Sequence, residues 1–198
     1  SRSPPLPLPL RLLILVSAFS TALRLPLSAQ PLPLPFKPDL TVAADGSGDF
    51  KTIQAAVASI PRDNRERRFI FVKDGIYHEK IRVDASFVTL RGQSRTGTRL
   101  EFPQGMTEFT ANRDAIGQAV LNINGDDFVL ENLTVENTHG VIGTHAFTIY
   151  GRGDRTVIQD CDVFSQGNDT LSLWRTGNRR GVDSAASSSA TITTEPNG

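Results

Sequence analysis

The sequence predicts an all-β chain wound into a parallel β-helix, a solenoid, with one short N-terminal capping helix. Three observations carry that reading. From residue 68 onward, short β-branched and aromatic runs follow one another, each closed by Gly, Asn, Asp or Ser. Two of them superimpose: "VLENLTVEN" lies over "VIQDCDVFS", placing Val129 on Val157, Leu130 on Ile158, Leu133 on Cys161 and Val135 on Val163. Only "DFKTIQAAVASIP" spaces its apolar residues as an amphipathic helix does.

In that helix Phe50, Ile53, Ala56, Val57 and Ile60 share a face, Asp49 is placed to cap the start, and Pro61 ends it. Its expected role is to cover one end of an apolar stack. The runs "RFIFV", "KIRV", "FVTLRG", "AVLNING", "FVLENLTVEN", "AFTIYG" and "TVIQDCDVFS" then read as strands, with no second convincing amphipathic helix between them. A repeat in the twenties of residues, with several short strands per turn, stacks like residues coil on coil. Cys161 becomes an interior apolar rung, which suits a small buried thiol. A β-sandwich would also be built from short strands and turns. The unequal strand pairs and Asn-rich strand ends favour the solenoid, whose long sheet face suits an extended polymer.

The domain is expected over residues 39–180, between a leader at 1–38 and a tail at 181–198. In the leader, Arg2 and Arg11 precede the apolar stretch Leu12 to Phe19, and small residues follow at Ser20, Ala22, Ser28 and Ala29. That is the layout of a secretory signal, so the expected location is outside the cell, in a cell wall or, for a bacterium, the periplasm. The apolar stretch is short for a bilayer span, so stable membrane insertion is not expected. The flanking Leu-Pro repeats also fit a low-complexity leader.

Twenty-one basic and 21 acidic side chains balance, which argues against nucleic acid as a partner. One cysteine, Cys161, permits neither an intrachain disulfide nor a cysteine-based metal cluster, and the three histidines are His78, His139 and His145. Neither a phosphate-binding GxxxxGK[ST] loop nor a strand-borne GxGxxG is present. No cofactor or metal is expected, and the chain is expected to act as a monomer.

The stretch "SQGNDTLSLW" holds the residue of most chemical interest, Asp169. Gly-Asn-Asp is ordinary turn chemistry, but the alternating "TLSLW" behind it would hold the carboxylate on a rigid rim. Acid/base work needs a partner at fixed distance. Asp160 and Asp162 read as one face of a strand, and Glu131 and Glu136 as opposite faces of the preceding one; the plain reading of all four is solvated strand-edge charge. His145 opens a strand, with Asn168 at the aligned height on the next coil, where imidazole and amide donors could bind an oxyanion. A triad of His145 with Ser165 or Ser172 lacks a GxSxG elbow.

Taken together, these segments resemble the pectinesterase (pectin methylesterase) family. "LTVAADGSGDFKTIQAAVASIP" looks like its opening strand and capping helix. Gly75, Tyr77 and Glu79 in "FVKDGIYHEKIRV" match its Gly-x-Tyr-x-Glu pattern, and "HAFTIYGRGDRTVIQDCDVFSQGNDTL" looks like its active-site stretch. The resemblance implies a right-handed β-helix enzyme that removes methyl esters from homogalacturonan, the pectin backbone, without a cofactor. It places Asp169 at the general acid/base of a Gln-Asp-Thr-Leu motif, Asn168 at that motif's Gln, and His145 at the Gln of Gln-Ala-Val-Ala; both glutamines are oxyanion donors. Asn is one methylene shorter than Gln, and His brings a titratable ring.

The family's nucleophilic Asp and substrate-binding Arg belong to a following coil. After Arg180 this chain reads "GVDSAASSSATITTEPNG", which lacks strand alternation, and its Asp183 matches neither motif. The sequence therefore suggests a C-terminally truncated domain of impaired turnover. Two other classes stay in view: a non-catalytic pectin-binding remnant, and a β-helix polysaccharide lyase or glycosidase whose candidate carboxylates are Asp160 and Asp162.

Overall fold

A computed structural model describes residues 37–173; the leader to residue 36 and everything from residue 174, including Asp183, lie outside the described residues. Strand β1 (Leu40–Val42) leads into helix α1 (Ile53–Ala58). Four coils of three strands follow among the described residues. The first is β2 (Arg68–Val72), β3 (Gly75–His78) and β4 (Ile81–Val83). The second is β5 (Val88–Gly92), β6 (Thr98–Phe102) and β7 (Leu121–Ile123), with a short helix α2 (Met106–Ala111) set between β6 and β7. The third is β8 (Val129–Glu131), β9 (Thr134–Asn137) and β10 (Ile149–Gly151), and the fourth β11 (Val157–Gln159), β12 (Asp162–Ser165) and β13 (Leu171–Leu173).

Corresponding strands pair in parallel into three sheets, ordered β1-β2-β5-β8-β11, β3-β6-β9-β12 and β4-β7-β10-β13. This is a parallel β-helix, right-handed as parallel crossovers are. The register matches the sequence overlay: Val129 pairs with Val157, Leu130 with Ile158 and Val135 with Val163. The repeat is not uniform, however. Leu90 pairs with Leu130, forty positions on, because the second coil carries the α2 excursion. That helix buries none of its residues, so it left no amphipathic signature in the sequence.

The interior is a set of ladders. Ile70, Leu90, Leu130 and Ile158 stack along one sheet, and Tyr77, Leu100, Val135 and Val163 along the next. All are buried, and each fully buried aliphatic side chain contributes about 1.5–3 kcal/mol. Leu133 and Cys161 are buried rungs as the overlay implies, and burial pushes the Cys161 thiol up to about 11. At one corner the coils approach too closely for side chains: a Cβ on Gly153 would lie 2.0 Å from the Gly125 carbonyl oxygen. Left-handed backbone recurs at other corners, at Phe87, Asp127 and Arg155 and again at Asn132 and Asp160. Asp and Asn tolerate that conformation better than most residues, which explains the polar strand ends seen in the sequence.

Helix α1 packs Ile53, Ala56 and Val57 inward, as its spacing predicts. Its cap differs from the expectation. Thr52, not Asp49, is the N-cap, its hydroxyl accepting from Ala55 N at 3.2 Å. Asp49 instead accepts from Thr41 N at 2.7 Å, bracing β1. The α2 excursion is held by Lys80, whose almost buried ammonium donates to Gln104 Oε1 and the Gly117 carbonyl, each at 2.8 Å, and to Asp114. Asn137 completes the clamp. Its carbonyl accepts from Gln104 N and His139 N, while its amide donates to the carbonyls of Gln104 and Phe147. These contacts bring one end of α2 beside the approach to β10, where Met106 N donates to the His145 carbonyl.

Candidate active site

Asp169 precedes β13 with φ of 64°, in the left-handed region. That kink turns its carboxylate toward His145, four residues ahead of β10 on the coil before, and His145 Nδ1 is hydrogen-bonded to Asp169 Oδ2. An ionised carboxylate only accepts, so in that state Nδ1 carries the shared hydrogen. The backbone of the pair is pinned. His145 and Asn168 form a parallel bridge, Ala146 N donates to the Asn168 carbonyl at 3.1 Å, and Met106 N donates to the His145 carbonyl at 2.9 Å.

His145 and Asp169 open on a cleft of ≈ 430 Å³ lined also by Met106, Gln118, Phe147, Tyr150 and Ser172. Phe147 lies nearly parallel to the imidazole at 6.5 Å and meets Tyr150 edge-on at 5.7 Å. Arg152 covers the outer face of Tyr150, its Nε donating to the phenol oxygen at 3.1 Å. The cleft therefore combines aromatic faces, an amide and a hydrogen-bonded acid–imidazole pair, the makings of a polar-substrate site.

The aligned height predicted for His145 and Asn168 is present. Their side chains part company, though: the Asn168 amide donates to the Gly143 carbonyl at 3.0 Å and so ties down the rim loop. Ser165 is occupied elsewhere, donating to the Ala146 carbonyl and accepting from Gly167 N, each at 3.0 Å, while Ser172 faces the cleft. The four carboxylates read as strand-edge charge need correction. Glu131 and Glu136 stand on different strands, and each pairs with an arginine, Arg91 and Arg99. Asp162 pairs with Arg95, whereas Asp160 lies at the corner before β12 and shares no strand face with it. Among the described residues no three His, Cys, Asp or Glu side chains converge where an ion could be held.

Gln118 was missed in the sequence, although "GQAV" sits three residues before β7 much as "THAF" sits four before β10. The backbone bond from Val120 N to the Phe147 carbonyl shows how the two segments overlie.

The pectinesterase family model matches residues 39–179. The chain belongs to the pectinesterase family. It is 33% identical over 129 residues to a pectinesterase of Petunia integrifolia, covering 64% of this chain and 34% of that protein. It is also 33% identical over 153 residues to a probable pectinesterase/pectinesterase inhibitor of Arabidopsis thaliana, covering 76% and 26% respectively. The chain thus spans about a third or less of the length of these two relatives. Among solved structures it resembles the pectin methylesterase from carrot, with a TM-score of 0.58 at 28% identity over 70% of this chain and 42% of that one. The enzyme from Erwinia chrysanthemi shares the fold, with a TM-score of 0.57 at 21% identity over 71% and 46%.

The Gly-x-Tyr-x-Glu stretch, Gly75 to Glu79, has a structural role in this chain. The Tyr77 hydroxyl donates to the Lys73 carbonyl at 2.9 Å inside the stack. Glu79 accepts from Ile53 N at 2.8 Å and Gln54 N at 2.9 Å, closing the start of α1. Burial raises its carboxyl above the ordinary range, and these two backbone donors pull it only part of the way back.

Proposed function

We propose that this chain carries a carboxylic ester hydrolase site for methyl-esterified homogalacturonan, with the Asp169–His145 pair managing the proton. The observation that supports it best is the hydrogen bond between these two side chains at the mouth of an aromatic-lined cleft, on a pectinesterase β-helix. Phe147 and Tyr150 offer flat apolar faces for sugar rings. The amide of Gln118, which lines the cleft, is a donor for the negative charge that develops on an ester carbonyl. The sheet face running along successive coils suits a polymer better than an isolated small ester. Action outside the cell agrees with that substrate and with the basic–apolar–small order of residues 2–29.

A second reading is pectin binding without turnover. It is favoured by one observation: among the described residues no second carboxylate contacts Asp169 or lines the cleft. Methanol release from methyl-esterified pectin, alongside pectin binding, separates the two. Hydrolysis predicts release that falls at least about 100-fold in Asp169→Asn. Binding to pectin by folded protein that releases no methanol would instead select the second reading.

A further inference from the structure

The sequence holds two Asn-x-Ser/Thr triplets of the kind that accept N-linked glycans, Asn132-Leu133-Thr134 and Asn168-Asp169-Thr170. The structure assigns Asn168, and not Asn132, as a glycosylation site whose glycan covers the mouth of the cleft. The inference rests on the extracellular location that belongs to the esterase reading. The two asparagines differ in what surrounds the amide. Asn132 lies at a corner with φ of 59°, and its amide donates to the carbonyls of Gly92 at 2.9 Å and Gln93 at 3.1 Å on the coil before. Thr134 is 1% exposed, its hydroxyl donating to the Arg95 carbonyl at 2.7 Å. The coils touch there: a Cβ on Gly92 would lie 2.3 Å from the Asn132 carbonyl oxygen. A sugar on the Asn132 amide would displace at least one of its bonds and force the coils apart.

Asn168 is exposed on the rim. Among the described residues its amide donates only to the Gly143 carbonyl, at 3.0 Å, and a glycosylated amide keeps one N–H for such a bond. The loop it holds has room for a bulky substituent, since a Cβ on Gly140 or Gly143 would meet nothing within 4 Å. The same loop presents Val141 and Ile142, 51% and 83% exposed, an apolar surface that the ring faces of a glycan can cover. Thr170 holds the sheet through its carbonyl, which accepts from Thr148 N at 3.1 Å and Ile149 N at 3.0 Å, so its side chain is not needed for that pairing. In the transfer, the Asn168 amide nitrogen bonds to the anomeric carbon of an oligosaccharide carried on a lipid diphosphate. The diphosphate leaves with the electron pair of the broken bond, and one amide proton passes to the transferase. Asp169 follows directly, and His145 bridges Asn168 from the coil before, so the glycan stands where a pectin chain enters the cleft.

The test is peptide mass spectrometry of the full chain secreted from plant cells behind an added signal, so that export does not depend on its own leader. Glycans are removed by an N-glycanase in heavy-oxygen water, which should mark residue 168 and leave residue 132 unmarked. Thr170→Ala, which keeps Asn168, should lose the mark, and Thr170→Ser should retain it. In methanol release from methyl-esterified pectin, the ratio of Thr170→Ala to wild type should be several-fold higher for protein from plant cells than for protein from bacteria. Secreted, folded chain with Asn168 unmarked, or with Asn132 marked, would overturn the assignment. An unchanged ratio between the two sources, with both proteins active, would overturn the covering role. Marked Asn168 on a protein that releases no methanol from either source would instead sink the esterase reading while bearing out the site.

Discussion

Removing the Glu79 carboxylate tests whether the capping helix is held from the next coil. Glu79 satisfies two of the N–H groups that open α1, Thr52 satisfies a third from its hydroxyl, and Ala56 N reaches the Thr52 carbonyl at 3.4 Å. Glu79→Ala leaves Ile53 N and Gln54 N without partners beneath a half-buried surface. An unsatisfied buried donor costs about 1–3 kcal/mol. Part of that is recovered, since the carboxylate is itself desolvated, which is why its pKa is raised. A net loss of about 2 kcal/mol follows, or about 4–8 °C in melting temperature for a chain of this size. Glu79→Gln should cost less than Glu79→Ala, because its amide oxygen keeps one of the two acceptors and an uncharged group costs less to bury.

The two variants also fix the sign of the pH dependence. A carboxyl whose folded pKa lies above its unfolded value, near 4.5, binds its proton more tightly in the native state. Its stabilisation is complete below that value and declines as the pH rises through the folded pKa. Urea unfolding followed by circular dichroism at pH 4 and pH 7 reads both effects. The stability advantage of wild type over Glu79→Gln should shrink toward pH 7. A Glu79→Ala protein within about 0.5 kcal/mol of wild type, or a Gln variant worse than the Ala variant, would refute the reasoning.

Two further outcomes can be measured on the same protein. Asn137→Ala removes four hydrogen bonds from a residue that is 1% exposed, so it should cost about 3 kcal/mol or more in urea unfolding and expose the segment around Gln104 to proteolysis. Asp127 accepts two bonds from Arg155, at 2.7 and 2.6 Å, and that guanidinium holds its carboxyl below the ordinary 3.8. The pair's stabilisation is therefore present above that value and is lost as the pH falls through the folded pKa. Asp127→Asn should cost about 0.5–1 kcal/mol at pH 6 and almost nothing in acid, as denaturation at the two pH values will show.

The sequence by itself determined the strands and favoured their stacking; the parallel pairing of like strands decided it against a sandwich. Alternating apolar residues with turn residues between them admit only strands with one face inward, and the overlay of Val129 with Val157 fixed the register of the last two coils, because a one-residue slip would turn Leu130 and Ile158 out to water. It also singled out Asp169, His145 and Asn168 and set the last two at one height. Local pattern stops there. The α2 excursion has no buried face and so carries no periodic signal; Lys80 and Asn137 hold it through contacts 24 to 37 positions apart. Glu79 caps a helix that begins 26 residues before it, in place of the adjacent Asp49. The direction of a side chain at a corner depends on one backbone torsion, and only the left-handed turn at Asp169 aims its carboxylate at His145. Like contacts, repeated coil on coil, can be read along the chain; pairings between unlike residues on different coils exist only once the coils are stacked.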